Sequence, residues 1–435
     1  MPMNIHGWGR YPRIEADVLL PQTNSNCARI LQDTPSCIPR GQGRSYGDSA
    51  NATQVLQSTY FNHYIQFDAS LGLLTCEAGV TIHEVLDLIV PRGWFIPVTP
   101  GSSYVSIGGA IASDVHGKNH HGSGTFSQHI IEMQMMLASG EIVTVSRAQL
   151  SDLFAATCGG MGLTGMILSA TLQLMSIQSS QIEQKTMPAS CLEAVCAGFE
   201  ENKGSTYSVA WIDCIATGPK LGRSLLMLGE HAVTGGLDMT PQKPLNVPVD
   251  APDLLLNQQF IQLFNTLYYQ KARLSSSQQR LSYGAYFYPL DQIANWNRLY
   301  GKAGFIQYQF VLPSAAGVQG LRSILKTIAA SGKGSFLAVL KAFGEHNTNY
   351  LSFPMAGYTL ALDFKVSPEV IALVQRLDAM VIDMGGRIYL SKDALMSEAT
   401  FKATYPQWEQ FEVVRAKYGA IGKFASQQSK RLGLQ

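Results

Sequence analysis

The sequence predicts an α+β protein of 435 residues, and three observations carry that expectation. From about residue 55 to 175, short strand-like and helix-like segments alternate. From 183 to about 386, longer strands of alternating apolar and polar residues are separated by helices, which predicts an antiparallel sheet with helices on one face. Glycine is concentrated in "RGQGRSYGD" (40–48), "PGSSYVSIGGAIASDVHG" (100–117) and "GGMGLTG" (159–165). Such clusters are either ordinary turns or bare backbone that a ligand can approach closely.

The elements follow in order. "LLTCEAGV" (73–80) has the make-up of a strand. Thr81 and Glu84 form a capping box that opens a helix, with Ile82, Val85, Leu86 and Ile89 at helical spacing and Pro91-Arg92-Gly93 as its stop. "HIIEMQMMLASGEIVTVS" (129–146) reads as a hairpin turning at Ser139-Gly140. "SDLFAATCGGMGLTGMILSATLQLM" (151–175) reads as a helix, a glycine turn and a strand. In the second region, "YSVAWIDCIA", "FIQYQFVLP", "FLAVLKAFG" and "YTLALDFKV" are strands and "GVQGLRSILKTIAASG" a helix. Residues 231–252 are rich in Pro and Gly, and a mobile loop is expected near 231–270. The apolar run "DLLLNQQFIQLFNTLYY" within it is either a core helix or a lid or lipid-facing surface.

Composition narrows the function. Hydrophobic residues make up 46% and charged residues 14%, which fits a packed globular chain rather than a disordered one. A net charge of +1 with no basic run gives no electrostatic footprint for nucleic acid. The seven cysteines (27, 37, 76, 158, 191, 196, 214) form no CxxC pair, so they are expected to be reduced thiols of a cytosolic protein, with no metal site. The N-terminus lacks the apolar core of a signal peptide, and no run approaches the roughly 18 apolar residues of a membrane span. Peripheral contact with a membrane stays open.

Several backbone N–H groups converging on one point are the natural holder of a dinucleotide's pyrophosphate. Neither the strand–GxGxxG–helix order of the Rossmann fold nor a P-loop is present, so any such cofactor is held by a different architecture. The strings "RGQGRSYGD", "PGSSYVSIGGAIASDVHGKNHH" and "ASGEIVTVS", with "DLFAATCGGMGLTGMILSATL", resemble the FAD-binding domain of the vanillyl-alcohol oxidase type. "GWGR", "GPKLGR", "YPLDQIANWNRLYGKAGFIQYQFVLP", "GGRIYLSKDA" and "TFKATYPQWEQF" extend the likeness along the chain, toward the branch that oxidises a polyprenyl-phosphate-linked ribose.

This resemblance implies a two-lobed FAD-binding domain at 1–182 and 387–435, with a substrate-binding domain at 183–386. It implies FAD contacts at Trp8, Arg40, Gly41, Gly43, Arg44, Ser45, Tyr46, Gly47, Pro100, Gly101, Ser102, Gly108, Gly109, Ala112, Val115, His116, Gly117, Gly162, Gly165, Ile167 and Tyr389. Covalently flavinylated relatives carry a His in the first loop; here Gly43-Arg44-Ser45-Tyr46 stands there, which implies non-covalent FAD.

Flavin oxidation of a secondary alcohol needs the carbinol C–H over the flavin, an acceptor for the hydroxyl proton, and stabilisation of the charge that develops. The resemblance places Lys392, His116 and Tyr46 at this chemistry. Lys392 is expected to hold the hydroxyl, polarise the flavin or, with a lowered pKa, act as base; His116 is the alternative base. Alternation along "IQYQF" puts Gln307 and Gln309 on one face and Tyr308 on the other, and two amides together suit a sugar. Lys341 and Phe343 share a face of their strand, for a phosphate and a sugar or flavin ring; Lys118, Trp211 and Thr359 complete the expected substrate set. Thr359 and Ala361 stand where relatives carry Asn and Cys, which bears on the sugar and lipid and not on the flavin chemistry.

The implied activity is oxidation of the sugar 2′-hydroxyl to a ketone, the first half of epimerisation to an arabinose lipid. A separate NAD(P)H-dependent reductase would complete it, at the inner face of the cytoplasmic membrane. The rivals are a soluble FAD oxidase of sugar alcohols or aldonolactones, and a non-catalytic flavin or lipid-carrier binding protein.

Overall fold

A computed structural model describes residues 2–239, 244–251, 258–335 and 337–434. Two small sheets hold the glycine-rich loops. In the first, Met3–His6 pairs antiparallel with Arg13–Leu19, and Gln54–Gln57 lies parallel between Arg13–Leu19 and Ile38–Arg40. The loop from residue 41 leaves the end of Ile38–Arg40, where a parallel strand delivers its backbone to a crevice. The second is an antiparallel sheet in the order Tyr64–Asp68, Leu73–Glu77, Met166–Gln173, Ile130–Met136, Ile142–Ser146.

The local signals of this part are realised. Thr81 caps the helix Ile82–Ile89 reciprocally with Glu84, and Gly93 ends the following turn in the left-handed region at φ 81°. Gly140 turns the expected hairpin at φ 86°. Ser151–Thr157 is helical, and Gly159 and Gly162 have positive φ in the turn before Met166–Gln173.

Residues 181–388 build an eight-stranded antiparallel sheet. Its centre is Tyr207–Ile212, Ala338–Phe343, Gly357–Lys365 and Phe305–Pro313, and Arg387–Ile388 forms an edge. Helices Leu192–Glu201, Gly317–Ala330 and Pro368–Asp383 cover one face, as expected. There Leu226 meets Gly198, and the Tyr308 hydroxyl donates to Asp378 at 2.9 Å.

The opposite face departs from expectation in one place. The segment near 231–270 is not simply a loop: Leu245–Asn246 pairs with Ile293–Ala294, and Gln258–Leu274 is a 17-residue helix. Residues 240–243 and 252–257 of the segment lie outside the described residues. Ile261, Asn265 and Tyr269, four apart, are buried, and Tyr269 clusters with Trp211 and Leu225 on the face that Leu226 leaves. Asn265 donates to Asp213 at 2.8 Å and Arg223 to Thr266 at 2.9 Å, anchoring the helix by polar groups that apolar periodicity does not reveal. Among the described residues, no helix is long and apolar enough to cross a membrane.

Candidate active site

The two glycine loops converge. A Cβ on Gly41 would collide with Ser106 Oγ, so the first loop lies directly on the cap of the helix Ile107–Ala112. Ser106 accepts from the Gly109 N–H at 3.2 Å. From Gly41 through Ser45, five consecutive backbone N–H groups donate to no protein acceptor among the described residues. Such a run, partly shielded, is a cradle for phosphate oxygens.

The bareness of these loops has more than one cause. A Cβ on Gly47 would strike the Asp393 carbonyl, one on Gly108 would lie 2.9 Å from Ala78 Cβ, and one on Gly117 2.6 Å from Asn119 Oδ1. Gly43 has φ 62° and faces the Arg40 guanidinium. These glycines therefore serve chain packing, which corrects the simple expectation that bare backbone is there for a ligand. Gly101 differs: nothing lies within 4 Å of its absent Cβ. Arg40 is likewise engaged within the protein, donating to Ala50 O, Asn51 Oδ1 and His6 O at 2.8–3.0 Å. Arg44 stacks on Trp8, 4.2 Å from its ring centre, with Tyr104 on its other flank at 5.4 Å. A Cβ on Gly162 would lie 3.7 Å from Ile38 and Pro39, ordinary van der Waals contact, while Val115 and Ile167 are buried in the core.

His116 stands at the centre. Its ring is enclosed by Phe343, Tyr389 and Phe353, with centroids 4.8, 5.1 and 5.6 Å away. Gln309 Nε2 lies 3.1 Å from His116 Nε2 and 3.2 Å from Thr359 Oγ1. With the amide donating, the imidazole carries its proton on Nδ1, a buried atom with no partner among the described residues. Burial and the nearby Lys341 hold the His116 pKa well below its ordinary value, so the ring is neutral at physiological pH. Tyr389 donates from its hydroxyl to Ser113 O at 2.9 Å and from its N–H to Gln309 O at 2.9 Å, locking the wall.

Lys341 and Lys392 act on His116, and a third buried lysine, Lys118, is coupled to Lys341. Lys118 donates to Tyr286 O and lies over the Tyr286 ring at 4.0 Å; burial, then Lys341, lowers its pKa to about 7. Lys341 is lowered to about 8 by burial. Lys392 lies 3.8 Å from the centre of the Tyr46 ring. Burial lowers it to about 7; Asp363 works against that shift and Lys341 with it.

Asp363 is the residue that sequence reasoning missed. It accepts from Gln307 Nε2 at 2.6 Å and lies 3.4 Å from the Tyr300 hydroxyl. Burial raises its pKa to about 7, against Gln307 and Lys392. Its strand spacing from Thr359 puts both on one face, which was readable; its partnership with Lys392 depends on how the chain returns after the sheet. Trp211 shares this face but is covered by Tyr268 of the helix, 5.0 Å away, so it is a side wall rather than a floor.

The five orphaned N–H groups, the open space at Gly101 and the unpartnered His116 Nδ1 fit a dinucleotide whose ring end reaches His116. Residues 17–146 match the family described as FAD binding domain. Fold and match define an FAD-dependent oxidoreductase. The chain is 36% identical to decaprenylphosphoryl-beta-D-ribose oxidase of Mycolicibacterium smegmatis, over 98% of this chain and 97% of that one, and it belongs to that family. It is 30% identical to an uncharacterized protein of Streptomyces coelicolor, over 82% of this chain and 100% of the other. It is also 22% identical to an L-gulono-1,4-lactone dehydrogenase of Mycobacterium tuberculosis, over 90% and 89% of the two chains.

The glycines separate by substitution. Gly47→Ala forces a Cβ onto the Asp393 carbonyl and is expected to cost about 3 kcal/mol or to prevent folding. Gly101→Ala, opening onto free space, leaves the melting temperature of the flavin-free protein unchanged and weakens FAD affinity. Thermal melts and flavin titration check the pair.

Proposed function

We propose that the chain oxidises the 2′-hydroxyl of a polyprenyl-phosphate-linked ribose to the 2′-ketone, the first half of epimerisation to the arabinose lipid. A separate NAD(P)H-dependent reductase completes the epimerisation. The observation that carries this reading is the row of buried amines beside His116: Lys392 over the Tyr46 ring, Lys341 acting on His116, Lys118 and Lys392 alike, and Lys118 over the Tyr286 ring. Buried amines whose charged forms are disfavoured by burial, and at Lys118 and Lys392 also by Lys341, gain from an anionic substrate that restores their charge. The printed name of the relative from M. smegmatis supplies such a substrate.

FAD, held by the N–H groups of 41–45 and by the loop at 101–117, supplies the hydride acceptor when bound. The FAD is non-covalent, because the first loop carries neither His nor Cys. The protein's own groups handle the rest. Lys392, with its pKa near 7, is the proton acceptor for the substrate hydroxyl, since a base works best near the operating pH. The neutral His116, oriented by Gln309, is a hydrogen-bonding and steric guide. Asp363 stabilises Lys392 once it is protonated and holds Gln307 toward the sugar side of the sheet. Lys118 and Lys341 meet the phosphate. Tyr46 keeps the Lys392 ammonium in place by its ring face.

The reading is tested with farnesyl-phosphoryl-ribose beside free alditols and aldonolactones. Turnover of the lipid sugar, to a product lighter by two hydrogens, supports it; turnover of the free sugars alone replaces it with the soluble oxidase. Acid precipitation is expected to release all of the flavin into the supernatant, measured by its absorbance.

Lys392→Met should retain flavin and lose about 10²–10⁴-fold in the rate of flavin reduction. In the parent enzyme kcat/KM should fall as pH drops through about 7, as Lys392 becomes protonated. Asp363 raises the Lys392 pKa, so Asp363→Asn lowers it and moves this acid limb to lower pH. Steady-state pH profiles of the parent and Asp363→Asn enzymes read the direction.

A further inference from the structure

The helix Gln258–Leu274 has two apolar sides. One, with Ile261, Asn265 and Tyr269, is buried against the sheet. The other is exposed: Phe260 (47%), Leu263 (58%), Leu267 (60%) and Leu274 (88%), with Phe264 beside them. Phe260, Leu263, Phe264 and Leu267 recur at three and four residues and form one stripe, and Leu274 continues it one turn beyond Lys271, along a helix about 25 Å long at 1.5 Å per residue. A stripe of this size is unusual on a soluble surface and marks a contact. The helix "QQFIQLFNTLYYQKARL" contains no Asp or Glu and carries Lys271 and Arg273 in its last turn. It lies on the same sheet face as Gln309, Thr359 and Lys341, joined to that face through Tyr268 on Trp211.

We infer that this helix docks on the surface of an anionic phospholipid bilayer, with Phe260, Leu263, Phe264, Leu267 and Leu274 entering the boundary between headgroups and acyl chains. A cationic helix with an apolar stripe and no acidic residue has the chemistry of an in-plane membrane helix, in which apolar burial and attraction to anionic headgroups act together. The inference deepens the lipid-linked substrate reading, and rests on it for purpose: a helix on the bilayer, flanking the site, brings the site to a substrate whose tail stays in the membrane. The stripe itself stands independently of that reading.

The test is flotation of the full-length FAD-loaded enzyme with vesicles of phosphatidylcholine alone or with added phosphatidylglycerol. The enzyme is expected to float, more strongly with phosphatidylglycerol and less at high salt. Leu263→Ser/Leu267→Ser should reduce the bound fraction about tenfold or more. Lys271→Glu should reduce it only on the anionic vesicles. Both variants should keep their flavin and their turnover of water-soluble farnesyl-phosphoryl-ribose, since neither changes the catalytic groups. Failure of the parent enzyme to float, or equal flotation of the leucine variant, overturns the docking. So does a parent enzyme that pairs through this stripe, seen as a dimer that the leucine variant converts to monomer without any vesicle binding. Flotation by an enzyme inactive on the lipid sugar supports the docking and removes the substrate reading; turnover without flotation does the reverse.

Discussion

The arrangement of the site depends on one contact, where the chain returns after the large sheet and presses on the first glycine loop. The Tyr46 N–H donates to Ser391 O at 3.1 Å, Gly47 admits the Asp393 carbonyl where any side chain would collide, and Lys392 lies over the Tyr46 ring between them. Arg431 clamps the junction, donating to Asp48 at 2.7 Å and to Asp393 at 2.9 Å. Asp393 also accepts from the N–H groups of Leu395 and Met396 and from Gln428. A carboxylate so supplied with donors is a rigid post. Lys392 is thus fixed by segments at both ends of the chain.

A second post holds the other loop. Asp114, fully buried and at φ 39°, accepts from the Ser127 N–H, Asn347, Asn349 and Ser352 at 2.6–3.1 Å. It ties the backbone just before His116 to the segment that follows the strand Ala338–Phe343. Ser103 donates twice to Asp291, at 2.7 and 2.9 Å, and does the same for the turn before Ile107. Between these posts the electrostatics are one-sided: three lysines and a neutral imidazole in a largely buried space, with Asp363 the counter-charge of Lys392 alone. Burial disfavours each ammonium, and the like charges add to that cost.

Local elements were legible because their signals are local. The Thr81–Glu84 box, the Ser139-Gly140 turn and the alternation of Gln307 and Gln309 need only a few neighbouring residues to act, and the structure realises each. His116 and Lys392 were identified by resemblance, and their convergence with Tyr46 and Gln309 rests on contacts that no spacing encodes. Asp363 escaped because the register of Phe305–Pro313 with Gly357–Lys365 brings it to Gln307. Arg40 stands among the FAD contacts that the resemblance implies, yet it donates to backbone and side-chain groups of its own lobe. The run after residue 257 is readable as a core helix or as a lid or lipid-facing surface, and the helix Gln258–Leu274 has both a buried and an exposed apolar side, which is why periodicity does not separate the two.

Removal of hydrogen from C2′ of a lipid-phosphate-linked ribose, in the pocket built on the Tyr46–Lys392 contact, is the proposal on which the roles of the surrounding groups rest. The most direct measurement is anaerobic rapid mixing with farnesyl-phosphoryl-ribose bearing hydrogen or deuterium at C2′, following the flavin band. The account predicts bleaching within a turnover, slowed by deuterium at that carbon and nearly abolished in Lys392→Met. Bleaching that is indifferent to deuterium at C2′ and to the loss of the Lys392 amine, or no bleaching at all, would contradict it.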